Sequence, residues 1–120
     1  MSRVALLGLP DDLAQPLARV LRAETHQISR KRYLQDFQHG PKVTVVFISG
    51  DSPEFRSTIA LLREAEPGLA VVVVTRQPGT SQWLDALDSG AADYCGAPFE
   101  RVQVRWIMES VTRGQRPAAA

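Results

Sequence analysis

Short, nearly continuous apolar runs constrain the fold of this chain more than any other feature of its sequence. Four runs stand out, at residues 4–7, 43–48, 69–74 and, more weakly, 92–95. They are rich in β-branched residues and do not alternate with polar ones, as expected of strands that helices cover on both faces of a parallel sheet. The segments between the runs carry apolar residues at helical spacing. The pattern therefore predicts an α/β fold.

The connection between the first two runs is the least regular part of this pattern. We expect a short strand at residues 26–29 and a brief helix at residues 32–37 there, which completes five strand–helix units. Right-handed crossovers then favour a doubly wound parallel sheet, and at this size the flavodoxin-like (βα)5 strand order 2-1-3-4-5 is the common solution. Gly90 is placed to end the fourth helix in a left-handed conformation.

The length of the chain predicts one domain. A chain of 120 residues can bury a single substantial core. We assign residues 1–114 to this domain, and residues 115–120, with Pro117 and three alanines, to a linker or disordered tail. Such a tail predicts that the domain is connected to an effector domain in a longer protein.

Charge, cysteine content and the motifs present argue against several classes of function. A net charge of +1 predicts no general affinity for nucleic acid or for an anionic membrane. Cys95 is the single cysteine and the N-terminus lacks a signal-peptide pattern, so we expect a cytoplasmic protein. The longest apolar run is too short to span a membrane. Phosphate-binding glycine motifs and metal-ligand spacings are missing, so neither a cofactor nor a metal is predicted.

The segment at residues 86–99 carries a family resemblance. It reads Ala-Leu-Asp-Ser-Gly-Ala-Ala-Asp-Tyr-Cys-Gly-Ala-Pro-Phe. This resembles the end of response-regulator receiver domains, where a helix ending in Ala-Gly-Ala is followed by Asp-Tyr, two apolar residues and Lys-Pro-Phe. The resemblance extends over almost the whole chain and implies the receiver fold and a role in signalling.

The resemblance also implies where a phosphorylation site would lie. A working receiver has an acidic pair after its first strand, an aspartate nucleophile ending the third, a hydroxyl ending the fourth and a lysine after the fifth. These groups hold Mg²⁺ and neutralise the transferred phosphoryl group. In this sequence the acidic pair falls on Gly8 and Leu9, the nucleophile on Phe47, the hydroxyl on Thr75 and the lysine on Ala97.

Only the hydroxyl of Thr75 is retained among these five positions. The chain is therefore predicted to be a degenerate receiver, or pseudo-receiver, and not an enzyme. We expect an apolar, closed site in which the Phe47 ring fills the space that the metal and the phosphoryl group occupy in active receivers.

Two alternatives remain open on other residues. Asp51, or the pair Asp11 and Asp12, could serve as an atypical phosphoacceptor or metal site, although Asp11 and Asp12 are better explained as helix caps. A slip of two to four residues in the third strand could also bring Ser49 or Asp51 near the nucleophile position. Alternatively, the carboxyl ends of the strands could bind a small molecule, as doubly wound folds do.

Without phosphorylation chemistry, the function of the chain would depend on the surface through which receiver domains bind other proteins. In active receivers a hydroxyl and an aromatic residue, here Thr75 and Tyr94, report phosphorylation to the surface formed by the fourth helix, the fifth strand and the fifth helix. We expect this surface to form a homodimer or to dock an effector domain or another protein partner. Trp106 is expected to pack against the sheet and Trp83 to be more exposed.

Charged residues on both helices of this surface offer a way to join two copies. Asp85 and Asp88 of the fourth helix could meet Arg101 and Arg105 of a partner's fifth helix across a two-fold axis. Trp83 completes the set of predicted interface residues.

Overall fold

The computed structural model describes residues 2–37, 42–77 and 79–114. Strands and helices alternate along the chain. The strands are β1 (Arg3–Leu7), β2 (Gln27–Lys31), β3 (Val45–Ser49), β4 (Ala70–Thr75) and β5 (Asp93–Gly96). The helices are α1 (Asp11–Ala23), α2 (Leu34–Phe37), α3 (Phe55–Ala65), α4 (Thr80–Asp88) and α5 (Arg101–Gly114).

The five strands form one parallel sheet in the order β2-β1-β3-β4-β5. This confirms the flavodoxin-like fold predicted from the sequence. The strand expected at residues 26–29 lies at Gln27–Lys31, and the helix expected at residues 32–37 is the short α2. The tail assigned to residues 115–120 lies outside the described residues.

The core consists of two layers, one on each face of the sheet. On one face, α1 and α5 cover a cluster that includes Leu6, Phe47 and Val72. On the other face, Ile59 and Leu62 of α3 and Ala86 of α4 pack over alternate residues of the same strands. Strands covered in this way need apolar side chains on both faces, which explains their continuous apolar sequences.

Cys95 belongs to the core. Its side chain is buried on β5, in the cluster beneath α1 and α5. Burial, and to a smaller extent the nearby Asp93 carboxylate, raise the pKa of the Cys95 thiol to about 12. The thiol is therefore protonated and unreactive at neutral pH, as expected for a small core residue.

Two glycines adopt backbone conformations that other residues rarely reach. Gly90 follows α4 with φ +104°, which confirms the predicted helix end. Gly8 follows β1 with φ +67°, and its amide donates to the Lys31 carbonyl at 2.8 Å. The chain thereby turns from β1 towards α1 at the carboxyl edge of the sheet.

The start of α1 differs from the expectation that an aspartate caps it. Pro10 is the N-cap residue, and no side chain caps this helix end. Asp11 and Asp12 lie in the first turn instead, where the positive end of the helix dipole stabilises their negative charges. Within the described residues, no helix is both long and apolar enough to cross a membrane.

Candidate functional site

Four of the five positions predicted from the resemblance lie at the carboxyl edge of the sheet. Gly8 and Leu9 follow β1, Thr75 ends β4, and Ala97 follows β5. The Ala97 amide donates to the Thr75 carbonyl at 2.9 Å, which joins the last two of these positions. Leu9 is buried in the core, and its side chain has no group that can bind a cation.

Phe47 does not lie at this edge, so the prediction that it ends the third strand is wrong. It sits in the middle of β3, opposite Leu6 and Val72, and its side chain is 0% exposed. The apolar run that suggested the strand begins at residue 43, but β3 begins at Val45 and continues to Ser49. Since side chains alternate along a strand, Ser49 points to the same face two residues later.

Ser49 therefore takes the place at the end of the third strand that the resemblance gives to the nucleophile. The chain then turns sharply, and the Gly50 amide donates to the Val74 carbonyl at 2.7 Å. A Cβ atom on Gly50 would lie 2.6 Å from Val73 Cγ1, so a larger residue would force the turn away from β4. This close approach brings the next residue, Asp51, beside the end of β4.

Asp51 is held by three donors from the end of β4. The Thr75 hydroxyl donates to Asp51 Oδ1. Asp51 Oδ2 accepts from the Arg76 backbone amide at 3.0 Å and from Arg76 Nη1 at 3.5 Å. The Asp51 amide in turn donates to Ser49 Oγ at 3.2 Å. The carboxylate is thereby committed to contacts within the chain.

Arg76 links this carboxylate to the start of α1. Its Nε and Nη2 donate to the two carboxylate oxygens of Asp12, both at 2.6 Å. This paired geometry lowers the pKa of Asp12 below its usual range and raises the pKa of Arg76. We call Asp12, Asp51, Thr75 and Arg76 the Arg76 network.

The Arg76 network makes this edge polar and ion-paired, which corrects the expectation of an apolar, closed site. One guanidinium group forms ion pairs with two carboxylates at the place where an active receiver uses a metal ion and a lysine. Sequence analysis missed Arg76, and its only signal was a charged residue directly after a buried strand. Within the described ranges, no three His, Cys, Asp or Glu side chains lie close enough to hold a metal ion.

Asp11 does not act with its neighbour Asp12. Its Oδ1 accepts from Arg30 Nη2 at 2.7 Å, so it pairs with β2 on the side away from Arg76. Both partners of this ion pair are largely exposed. The two aspartates therefore face different cations and do not form a carboxylate pair.

An open cleft lies beside the Arg76 network. It has a volume of roughly 370 Å³ and separates α2 from α3 above the ends of β1 and β3. Its lining comprises Leu7, Gly8, Arg32, Tyr33, Leu34, Ile48, Ser49, Ser52, Glu54, Phe55, Ser57, Thr58 and Leu61. Phe47 is not part of this lining, so its ring does not close the site from this side.

Thr75 and Tyr94 both contact the connection between β4 and α4. Thr75 Oγ1 accepts from the Gln77 amide at 3.2 Å. The Tyr94 hydroxyl accepts from the Gly79 amide at 3.2 Å and donates to Gln82 Oε1 at 3.2 Å. Thr75 and Tyr94, the two residues to which the resemblance assigns a switch, thus both hydrogen-bond to this connection, and Thr75 also donates to Asp51.

The charged interface candidates have partners within their own chain. Asp85 pairs with Arg56 of α3 at 2.9 Å, so it faces away from α5. Arg101 and Arg105 pair with Glu24, at 2.8 and 2.9 Å. All three side chains keep about half of their surface exposed beside these ion pairs, so their contact with a second copy stays a prediction. Asp88 is exposed at the end of α4.

Glu24 gives the domain a pH-dependent contact between the end of α1 and α5. Hydrogen bonds from Arg105 and then Arg101 lower its pKa from about 4.5 to about 2. A lowered pKa means that this contribution to stability is complete above pH 4.5 and is lost as the pH falls from about 4.5 to about 2.

We therefore expect Glu24→Gln to flatten the stability profile in that pH interval. Urea unfolding at several pH values measures this, with Glu64→Gln, an exposed glutamate of α3, as the control. A Glu24→Gln profile that matches both the unsubstituted chain and the control would contradict the assignment.

Trp106 is 74% exposed and Trp83 is 41% exposed, so the expected burial of Trp106 is wrong. Helix α5 packs its other apolar stripe against the sheet, namely Val104, Ile107, Met108 and Val111. Because consecutive helical residues are 100° apart, burying Ile107 turns Trp106 outwards.

Exposed or half-buried apolar side chains lie on α4, β5 and α5. Tyr94, Val102 and Trp106 line one shallow groove. On α4, Trp83 and Leu87 lie one turn apart, and Trp83 is about 200° around the helix from Asp85, which faces α3. We call Trp83, Leu87, Tyr94, Val102 and Trp106 the α4–β5–α5 face.

The sheet order and the residues gathered at its carboxyl edge define a flavodoxin-like domain with the receiver fold. No protein-family model and no curated protein matches the sequence. Among solved structures, the chain is similar to a CheY-like response regulator receiver domain protein from Methanospirillum hungatei JF-1. The TM-score is 0.79 at 12% identity, over 96% of each chain.

Two further neighbours show the same fold in other settings. NtrX from Brucella abortus aligns with a TM-score of 0.84 at 16% identity, and the match covers 96% of this chain but 27% of that one. The beryllofluoride-activated NtrC4 receiver domain dimer aligns with a TM-score of 0.75 at 17% identity, over 94% of this chain and 98% of that one. At these identities the likeness establishes the fold.

Proposed function

We propose that this chain is a pseudo-receiver, a cytoplasmic regulatory domain that works through protein–protein interaction and without phosphorylation. It would serve a two-component or transcription-control protein and is not an enzyme. The observation that carries this proposal is the pairing of Arg76 with both Asp12 and Asp51. A built-in cation thereby occupies the carboxylates that phosphoryl transfer would need free.

The chemistry of phosphoryl transfer supports this reading. A phosphoacceptor carboxylate needs one oxygen free to attack, and a bound Mg²⁺ needs oxygen ligands that no other cation holds. Both oxygens of Asp51 accept hydrogen bonds within the chain. Leu9 brings no carboxylate to the edge, and Ala97 brings no positive charge.

The alternative is that Asp51 or Asp12 accepts a phosphoryl group after Arg76 moves away. We expect no phosphoprotein when the chain is incubated with acetyl phosphate and Mg²⁺ and then measured by intact mass spectrometry, with a working receiver domain treated in parallel. A Mg²⁺-dependent gain of one phosphoryl group would overturn the proposal. Asp51→Asn and Asp12→Asn would then show which residue accepts it, with Asp11→Asn as the control.

We further propose that the α4–β5–α5 face joins two copies of the chain. Its apolar residues come from three consecutive elements, α4, β5 and α5, and an exposed tryptophan is typical of an interface anchor. The NtrC4 receiver domain, which has the same fold, is described as a dimer. Pairing of two such faces would place the attached effector domains of a longer protein side by side.

Removing the Trp106 side chain is expected to weaken self-association by about tenfold or more, because buried tryptophans dominate the binding energy of many interfaces. Sedimentation over a range of concentrations measures the effect. Leu61→Ala is the matched control, because Leu61 is an exposed apolar residue of α3 outside this face. If Trp106→Ala and Leu61→Ala associate equally well, two copies do not meet through this face, and docking of a different protein becomes the better explanation.

A further inference from the structure

The open cleft between α2 and α3 lies where the topology of this fold favours ligands. Its walls include Leu7 and Gly8 at the end of β1, and Ile48 and Ser49 at the end of β3. The strand order reverses direction between β1 and β3, and ligands of open α/β sheets bind outside the carboxyl ends of the strands at such a reversal. Asp12, Asp51, Thr75 and Arg76 do not line the cleft, so it is separate from the Arg76 network.

The lining divides the cleft into an apolar part and a polar part. Leu7 and Ile48 form the apolar floor, and the exposed side chains of Tyr33 and Leu61 form its rim. Tyr33 is 57% exposed and Leu61 is 50% exposed, and these are the exposed large apolar residues outside α4 and α5 in the described part of the chain. Aromatic and aliphatic side chains in this arrangement favour a flat, apolar group.

The polar part offers donors. Ser49 Oγ accepts from the Asp51 amide and Ser52 Oγ accepts from the Glu54 amide, so each hydroxyl keeps its own proton to donate. Arg32 lies in the connection between β2 and α2, on the side of the cleft opposite α3, and its guanidinium suits a carboxylate or a phosphate.

Two further hydroxyls in the lining already donate within the chain. Ser57 and Thr58 both donate to the Glu54 carbonyl, at 2.9 and 3.0 Å. Donation to a ligand therefore falls to Ser49, Ser52, Tyr33 and Arg32, and this group includes a cation.

We infer that this cleft binds a small ligand in which an aromatic ring carries one oxyanion, either a phosphate or a carboxylate. The ring would lie over Leu7 and Ile48 beside Tyr33, and the oxyanion would meet Arg32 and the hydroxyls of Ser49 and Ser52. A volume of roughly 370 Å³ is at the small end of ligand pockets, so it suits a nucleoside monophosphate or an aromatic acid. The inference depends neither on the absence of phosphorylation nor on dimerisation.

Amide chemical shifts of the ¹⁵N-labelled full chain test this inference. Adenosine 5′-monophosphate and indole-3-acetate represent the phosphate and carboxylate sources, and adenosine and inorganic phosphate represent the two halves. We expect saturable shifts at Gly8, Tyr33, Ser49 and Ser52 for at least one of the two complete probes, with half-saturation below about 1 mM. Adenosine alone and inorganic phosphate alone should each bind at least about tenfold more weakly than the complete probe.

Two variants assign the contacts. Arg32→Gln is expected to weaken binding of the complete probe by about tenfold, because it removes a charge-assisted hydrogen bond. Arg19→Gln, an exposed arginine of α1, makes the same charge change away from the cleft and is expected to leave binding unchanged. Ser57→Trp adds a large side chain to the α3 wall and is expected to block the cleft.

Several outcomes would overturn the inference. The inference fails if neither complete probe, at about 5 mM, shifts the amide signals of the cleft residues. It also fails if the shifts centre on Thr75 and Arg76 instead. If adenosine binds as tightly as adenosine 5′-monophosphate, the cleft does not recognise an oxyanion. The same conclusion holds if Arg32→Gln and Arg19→Gln weaken binding of the complete probe equally. Cleft shifts that follow protein concentration alone would show that a second copy covers this surface. Sedimentation of Trp106→Ala separates that result from association through the α4–β5–α5 face.

Discussion

Phe47→Ala is expected to lower the free energy of unfolding by about 3–5 kcal/mol. The ring is fully buried in the middle of β3, between the central strands and the layer formed by α1 and α5. Truncation removes the apolar contacts of a large side chain and leaves a cavity that the surrounding strands cannot close. Urea unfolding measures the change, and Leu61→Ala, an exposed apolar truncation on α3, serves as the control.

Substitution by aspartate tests whether Phe47 or Ser49 occupies the end of β3. Phe47→Asp would bury a carboxylate in the core, so we expect the chain to lose its cooperative unfolding transition. Ser49→Asp places the same charge at the half-exposed end of the strand, and we expect this variant to fold. Circular dichroism and urea unfolding compare the two. A folded Phe47→Asp with an intact core would contradict the position of Phe47 described above.

The fold was predictable because its signal is local and repeated. Each central strand is a short apolar run of β-branched residues, and each crossover carries its own helical spacing. β2 is an edge strand that is only partly buried, so its sequence Gln-Ile-Ser-Arg-Lys has no apolar run. Its existence followed from the need for a fifth strand, and its bounds were therefore less accurate.

The site was only partly predictable because its contacts join distant parts of the chain. Gly8, Leu9, Thr75 and Ala97 followed from a resemblance, since each comes directly after or at the end of a recognisable strand. Phe47 was misplaced because an apolar run does not show which of its residues begins the strand. The run continues into Ser49, whose polar side chain concealed the strand end.

Side-chain pairing explains the remaining differences from the sequence analysis. Arg76 and Asp12 are 64 residues apart, and only the fold places one beside the other. Arg105 and Glu24 are 81 residues apart and meet for the same reason. Helical spacing allowed either Trp106 or Ile107 to face the sheet, and the packing of α5 decided between them. Patterns in sequence predict faces and elements, whereas ion pairs depend on the assembled structure.

Arg76→Ala is expected to give the chain a higher affinity for Mg²⁺ at the carboxyl edge of the sheet. The guanidinium now satisfies the carboxylates of Asp12 and Asp51, and its removal leaves two negative charges at one edge without a cation. Mg²⁺ prefers oxygen ligands and keeps several waters, so two carboxylates suffice for weak binding, of about millimolar affinity. Amide shifts of Gly8, Ser49 and Gly50 during a Mg²⁺ titration measure this.

The matched control for this prediction is Arg30→Ala, because Arg30 forms an ion pair with one carboxylate, that of Asp11, at the same end of the sheet. It removes an arginine–aspartate pair without freeing two carboxylates, so it should not bind Mg²⁺. Adding Ser49→Asp to Arg76→Ala supplies a third carboxylate and should tighten binding by about tenfold. If Arg76→Ala and Arg76→Met both fold and neither binds Mg²⁺, then the guanidinium is not what excludes the ion. The missing carboxylate at Leu9 would then be the decisive departure from an active receiver.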